Sequence, residues 1–135
     1  MNDAVPGGSA IGIRRAGVSD AAALAVLRYR FRAELGQPVE AEGAFVARAT
    51  PWLAERLRGD AWRAWVAVDA AGEIIGHIFA QAVEKIPNPV PEAETILYIT
   101  NAYVVPALRG GGIGARLLEA ALEERRELQV ETVIP

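Results

Sequence analysis

The chain has 135 residues, enough for one domain with its own core and too few for two. An apolar fraction of 52% against 23% charged residues places it with folded globular chains, and a net charge of −3 offers no basic surplus for neutralising a nucleic-acid backbone. With no cysteine present, disulfides, thiolate metal sites and a cysteine nucleophile are excluded; no metal centre is expected, and a reducing, cytoplasmic setting fits.

Met1 to Ala10, with Pro6-Gly7-Gly8-Ser9, reads as a flexible lead-in without the basic, apolar, small-residue order of a signal peptide. No apolar run approaches the roughly 20 residues of a membrane span, so no membrane partner is expected. Ile11-Gly12-Ile13-Arg14-Arg15 alternates as a short strand does and ends at Gly17. Ser19 or Asp20 then caps a helix whose Leu24, Leu27, Phe31 and Leu35 recur at helical spacing, and Gly36 with Pro38 stops it. From Glu40 to Arg58 a second helical region carries Phe45, Val46, Ala49, Leu53 and Leu57. Thr50-Pro51 interrupts it as an N-cap and first helical position would, giving two short helices or one kinked one.

Trp62 to Val68 is a strand, Asp69-Ala70-Ala71-Gly72 a hairpin turn, and Glu73 to Val83 a longer strand with apolar residues on both faces. Lys85 to Glu94 holds three prolines and cannot join a ladder; it is expected as a stiff loop at the mouth of a binding site. Thr95 to Val105 is again a strand. Arg109 to Gly114 is a glycine loop, and the helix after it sets Ile113, Leu117, Leu118, Ala121, Leu122 and Leu128 opposite Arg116, Glu119, Glu123 and Arg126. Val130 to Ile134 forms a final strand, and the strand–helix–strand unit implies a parallel crossover. The isolated His77 is expected as a packed strand residue, the Arg14-Arg15 and Arg125-Arg126 pairs as solvated faces, and Trp52 as a core or rim aromatic that could line a pocket.

Four glycines within positions 110–114, at the start of a helix, leave bare amides facing the positive end of the helix dipole, which suits a phosphate or pyrophosphate. A nucleotide-hydrolysing P-loop needs Gly-Lys-Ser/Thr, and here Ala115-Arg116 follows Gly114. Gly110, Gly112 and Ala115 match a relaxed dinucleotide pattern, but that pattern opens a fold, and only about 20 residues follow.

Arg109-Gly110-Gly111-Gly112-Ile113-Gly114, behind a strand and ahead of Leu117-Leu118, resembles the Arg/Gln-x-x-Gly-x-Gly/Ala acyl-CoA signature of the GNAT superfamily of N-acyltransferases. The element order from Ile11 to Ile134, with the isolated Gly76, is similar too. The resemblance implies a single α/β domain over residues 11–135, with a mixed, mostly antiparallel sheet flanked by helices and one parallel crossover holding the CoA loop. It implies acetyl-CoA as donor, a primary amine of a small molecule or protein as acceptor, and direct attack in a ternary complex. Donor-binding residues carried over are Arg109, Gly110, Gly111, Gly112, Ile113, Gly114 and Ala115 for the pyrophosphate, and the backbone of Ala102, Tyr103 and Val104 for the pantetheine arm and acyl carbonyl. The strand that bears these three is expected to bulge and to splay from its neighbour. Asn101, Tyr98 and Glu94 are the candidates for ordering a water that takes the amine's proton.

Relatives commonly place an acid tyrosine beyond the fifth strand, a stretch this sequence does not reach, so the domain reads as truncated there. The open edge of the last strand is expected either to pair with a second copy or to mark a shortened enzyme of weak turnover. The rival readings are a CoA-binding regulatory module without catalysis and a small dinucleotide-binding protein.

Overall fold

The computed structural model describes residues 10–128 and 131–134. The expected lead-in up to Ser9, and Val130 of the expected last strand, lie outside the described residues, as does the side chain of Leu128. Five strands form one sheet in the order β1-β2-β3-β4-β5: β1 Gly12–Arg15, β2 Trp62–Val68, β3 Ile74–Glu84, β4 Thr95–Val104 and β5 Glu131–Val133. The first three pairings are antiparallel and the β4–β5 pairing is parallel, in the mixed arrangement expected. Helices α1 Ala21–Leu35 and α2 Glu42–Arg58 pack on one face and α3 Ile113–Leu128 on the other.

Strand alternation divides the core between these faces. Trp65, Ile78, Ala80, Leu97 and Ile99 point toward Ile113, Leu117 and Ala121 of α3, whereas Ala64, Val66 and Phe79 meet Leu24 and Ala25 of α1 and Leu53 of α2. Leu24, Leu97 and Leu117 are fully buried, each contributing about 2 kcal/mol of hydrophobic stabilisation. The β2–β3 hairpin closes as its sequence predicts: Gly72 takes φ +87°, and the Asp69 carboxylate accepts hydrogen bonds from the amides of Ala71 and Glu73 at 2.9 Å.

Four local expectations need correction. Asp20 stands at the N-cap of α1, as expected, but its side chain makes no bond into that helix. Its carboxylate reaches back to accept the Gly17 amide at 2.8 Å, closing a single 3₁₀ turn over Val18–Asp20, and Arg14 holds it bidentately at 2.8 and 2.9 Å. That pair keeps the Asp20 carboxyl below the usual carboxylate range, chiefly through the Arg14 hydrogen bond, so Arg14 is more than a solvated side chain.

Nor does Thr50 begin a helix. Helix α2 runs through Pro51 unbroken, and the Thr50 hydroxyl donates to the Val46 carbonyl at 2.7 Å one turn back. Leu35, placed on the buried stripe by spacing, is 64% exposed at the last position of α1. Finally, the proline loop from Lys85 to Glu94 joins the far ends of β3 and β4, where the Lys85 amide donates to the Glu94 carbonyl. It borders neither of the cavities described next.

Candidate active site

Strand β4 is the axis of the site. It pairs with β3 from Thr95 to Thr100 and again at Tyr103 and Val104, but two residues, Asn101 and Ala102, stand opposite the single Ile78 between them. This is the bulge, and Asn101 makes it with φ +57°, a left-handed conformation that asparagine tolerates better than most residues. Beyond the bulge Gly76 pairs with Val104, and a Cβ on Gly76 would lie 2.9 Å from the Tyr103 carbonyl oxygen. Only glycine lets β3 follow the displaced strand this closely. On its other side β4 pairs in parallel with β5 at Ile96, Leu97 and Tyr98.

Between the end of β4 and the glycine loop lies a cavity of about 260 Å³, walled by Ala102, Tyr103, Val104, Leu108, Arg109, Gly110, Gly112, Ile113 and Gly114. Gly111 and Ala115, from the same sequence motif, do not line it. Gly110 and Gly112 have φ of +88° and +86°, which explains glycine at both. Gly114 has ordinary backbone geometry, and a Cβ there would meet nothing within 4 Å. Folding does not demand glycine at 114, and a side chain would project into the space before the helix. From Gly110 to Ala115 no amide donates to an acceptor among the described residues; the first bond of α3 runs from the Arg116 amide to the Gly112 carbonyl at 3.1 Å. Six consecutive N–H groups at a helix start form a cradle for an anion.

The Arg109 side chain turns away from this cradle. Its Nε donates to the Val104 carbonyl at 2.7 Å, its Nη2 donates to Glu34 of α1 at 2.7 Å, and its guanidinium lies 5.3 Å from the Tyr103 ring centroid. Tyr103 Oη donates to the other oxygen of Glu34 at 2.5 Å, and its ring stacks on Phe31. These two bonds, Tyr103's first, hold the Glu34 carboxyl below its ordinary range, while burial and then the bond to Glu34 push the Tyr103 hydroxyl up. Glu34 thus ties the glycine loop to the end of α1. Nothing local in the sequence marks it, since its partners lie 69 and 75 residues away.

A second cavity, of about 330 Å³, lies between α1, α2 and the sheet. Its walls are Arg28, Phe45, Arg48, Ala49, Trp52, Leu53, Trp62, Phe79 and Asn101. Trp52 is therefore a pocket-wall residue, edge-on to Trp62 at 5.7 Å and covered by Arg56 at 4.4 Å. The walls of the two cavities adjoin at the bulge, where Asn101 lines one and Ala102 the other. Of the three residues named from sequence for proton handling, only Asn101 lies at this junction, and its Oδ1 accepts from Arg28 at 2.6 Å. Tyr98 is exposed and lines neither cavity. Glu94 lies seven positions from Asn101, about 23 Å along an extended strand. Arg28 was not singled out from sequence, because a lone arginine on a helix carries no signal by itself.

His77, directly below the junction on β3, is fully buried between Phe79 and Tyr103, with neither ring nitrogen hydrogen-bonded. Burial lowers its pKa to about 4, with the nearby Asn101 backbone opposing the shift and Arg28 adding to it. It is neutral and sealed from both cavities, the packed residue expected.

No curated protein matches the chain in sequence. Solved structures match its fold closely. A predicted acetyltransferase of Clostridium acetobutylicum, solved with acetyl-CoA, superposes with a TM-score of 0.75 at 20% identity, over 93% of this chain and 80% of its own. A GCN5-related N-acetyltransferase of Ralstonia eutropha gives 0.70 at 25% identity, over 93% of this chain and 82% of its own. The aminoglycoside N-acetyltransferase AAC(6')-Iy, in complex with CoA, gives 0.70 at 21% identity, over 98% and 80%. Residues 26–134, which span the bulged strand, the glycine loop, α2 and the part of α1 that bears Arg28, match the Acetyltransferase (GNAT) family, and the chain belongs to it.

Proposed function

We propose that this protein is an N-acetyltransferase that moves the acetyl group of acetyl-CoA onto a primary amine. The run of six unengaged amides from Gly110 to Ala115, sharing one cavity with Ala102 to Val104 of β4, carries this reading. In it, the amides bind the pyrophosphate without a lysine, and the pantetheine arm lies along β4 from Ala102 to Val104 as a surrogate strand. The backbone of Tyr103 and Val104 steadies the thioester carbonyl. Gly114 keeps the volume in front of the helix free.

The amine enters from the other cavity and meets the thioester at the bulge. Its nitrogen attacks the carbonyl carbon, a C–N bond forms as the C–S bond breaks, the CoA thiolate leaves and takes up a proton, and the ammonium product loses one. The lack of cysteine excludes a Cys acyl-enzyme, which favours direct transfer with both substrates bound together. Asn101, held by Arg28, faces the site of attack and positions the amine or a water beside it.

Calorimetric titration with acetyl-CoA, CoA and NAD, followed by thiol-release assays across an amine panel, tests the reading. Preferential binding of the CoA species and thiol release that depends on an amine are expected. NAD bound as tightly as CoA would overturn the assignment of the loop, and tight CoA binding with no amine acetylated would reduce the protein to a CoA-binding module.

A further inference from the structure

The cavity on the α1–α2 face has an electrostatic character that narrows the acceptor. Its charged wall residues are Arg28 and Arg48, and no carboxylate lines it. Arg48 is already neutralised: its Nε and Nη2 grip the Glu40 carboxylate. Arg28 is not. It is partly buried, its only polar bond among the described residues goes to the neutral Asn101 carboxamide at 2.6 Å, and its guanidinium lies 5.8 Å from the Phe31 ring centroid. The nearest charge that acts on it is a like one, Arg32. A guanidinium withdrawn from water without an anion is a costly arrangement that a bound carboxylate would relieve with a bidentate, charge-assisted pair. The rest of the wall is aromatic, from Phe45, Trp52, Trp62 and Phe79.

We propose that the acceptor is a small amino-acid-like molecule, with a carboxylate seated on Arg28, an apolar or aromatic side chain against the tryptophans, and a primary amine at the bulge. Position supports the short spacing between the two polar groups. Arg28 is bonded to Asn101, and Asn101 adjoins Ala102 in the wall of the other cavity, so an amine close to the carboxylate reaches the thioester while a distant one overshoots it. A volume of about 330 Å³ lies at the small end of ligand sites. Aminoglycosides, on which the neighbour AAC(6')-Iy acts, carry several positive charges and no carboxylate, and would face Arg28 with repulsion.

This inference rests on the acetyltransferase reading, and the experiment separates the two. The value of kcat/KM is measured by thiol release for pairs differing in one carboxylate, L-phenylalanine against 2-phenylethylamine and L-leucine against 3-methylbutylamine, with kanamycin as the polycation. Acetyl-CoA affinity is measured alongside by calorimetry. The carboxylated member of each pair is expected to be at least tenfold better. Arg28→Gln is expected to bring that ratio near one while acetyl-CoA affinity stays within twofold, and Arg28→Lys to keep part of the preference. A wild-type enzyme that prefers the decarboxylated amines or kanamycin, that binds acetyl-CoA but acetylates no carboxylated amine, or whose preference survives in a folded Arg28→Gln protein overturns the acceptor assignment alone. Failure to bind acetyl-CoA overturns the functional reading beneath it.

Discussion

Replacing Gly114 with aspartate sets folding and ligand binding against each other. Position 114 lies in the first turn of α3, its backbone is ordinary, and a Cβ there touches nothing within 4 Å. A carboxylate at that point interacts favourably with the helix dipole by about 0.3–1 kcal/mol, and leaving glycine recovers a few tenths more of helix propensity. The melting temperature should therefore rise by ~2–4 °C. For a bound pyrophosphate the sign reverses. One negative charge about 4 Å from another at an effective dielectric near 20 costs about 4 kcal/mol, roughly a thousandfold in affinity. Gly114→Asn has nearly the same volume without the charge and should weaken CoA much less, so the difference between the two variants reads the electrostatic part. Circular-dichroism melts and calorimetry with CoA measure both effects. A Gly114→Asp protein that melts no lower than wild type yet loses less than about tenfold in CoA affinity, about 1.4 kcal/mol, would show that the anion does not sit on this helix start.

Gly76→Ala should lower stability by about 1–3 kcal/mol, since its Cβ would stand 2.9 Å from the backbone oxygen of Tyr103; an unchanged urea midpoint would refute the close-approach argument. His77, with a pKa lowered to about 4 by burial against about 6.5 unfolded, keeps its full contribution above pH 6.5, and stability falls as pH drops toward 4 because the unfolded chain binds the proton first. That loss is roughly 3 kcal/mol, and His77→Leu should remove it; equal pH slopes for the two proteins between pH 6.5 and 4 would contradict it. Trp52→Ala should raise acceptor KM by about tenfold, consistent with lost aromatic contact of ~1.4 kcal/mol, with CoA affinity unchanged; steady-state kinetics in which CoA suffers instead would move Trp52 to the donor side.

How much of this was legible depends on the range of each interaction. The apolar, strand-forming run from Trp62 to Val68, the turn at Asp69 to Gly72 and the apolar stripe of α3 are local patterns, and the structure follows them. Glycines 110 and 112 also announce themselves, because their φ angles exclude most other residues. Thr50-Pro51 misleads because a proline at that spacing usually starts a helix, whereas here the flanking turns pack well enough to carry α2 through it, with Thr50 bonded back to Val46. Arg28 and Glu34 stay hidden for another reason. Their partners, Asn101, Tyr103 and Arg109, come next to them only after the sheet forms, and no spacing rule connects residues about 70 apart. Asn101 was named for its polar side chain, but its backbone, which makes the bulge, does at least as much to shape the site.

The two cavities share no wall residue, one lying between α1, α2 and the sheet and the other by the glycine loop, and their walls adjoin along the chain at Asn101 and Ala102. Under the proposed assignment each substrate has its own doorway, and neither one plugs the other's exit. Either should therefore add first, giving intersecting double-reciprocal plots and no compulsory order of release. A single molecule joining CoA to the acceptor faces a different problem. It must thread one half past the bulge before both halves can seat, so it should associate far more slowly than either half alone, however tightly it is finally held.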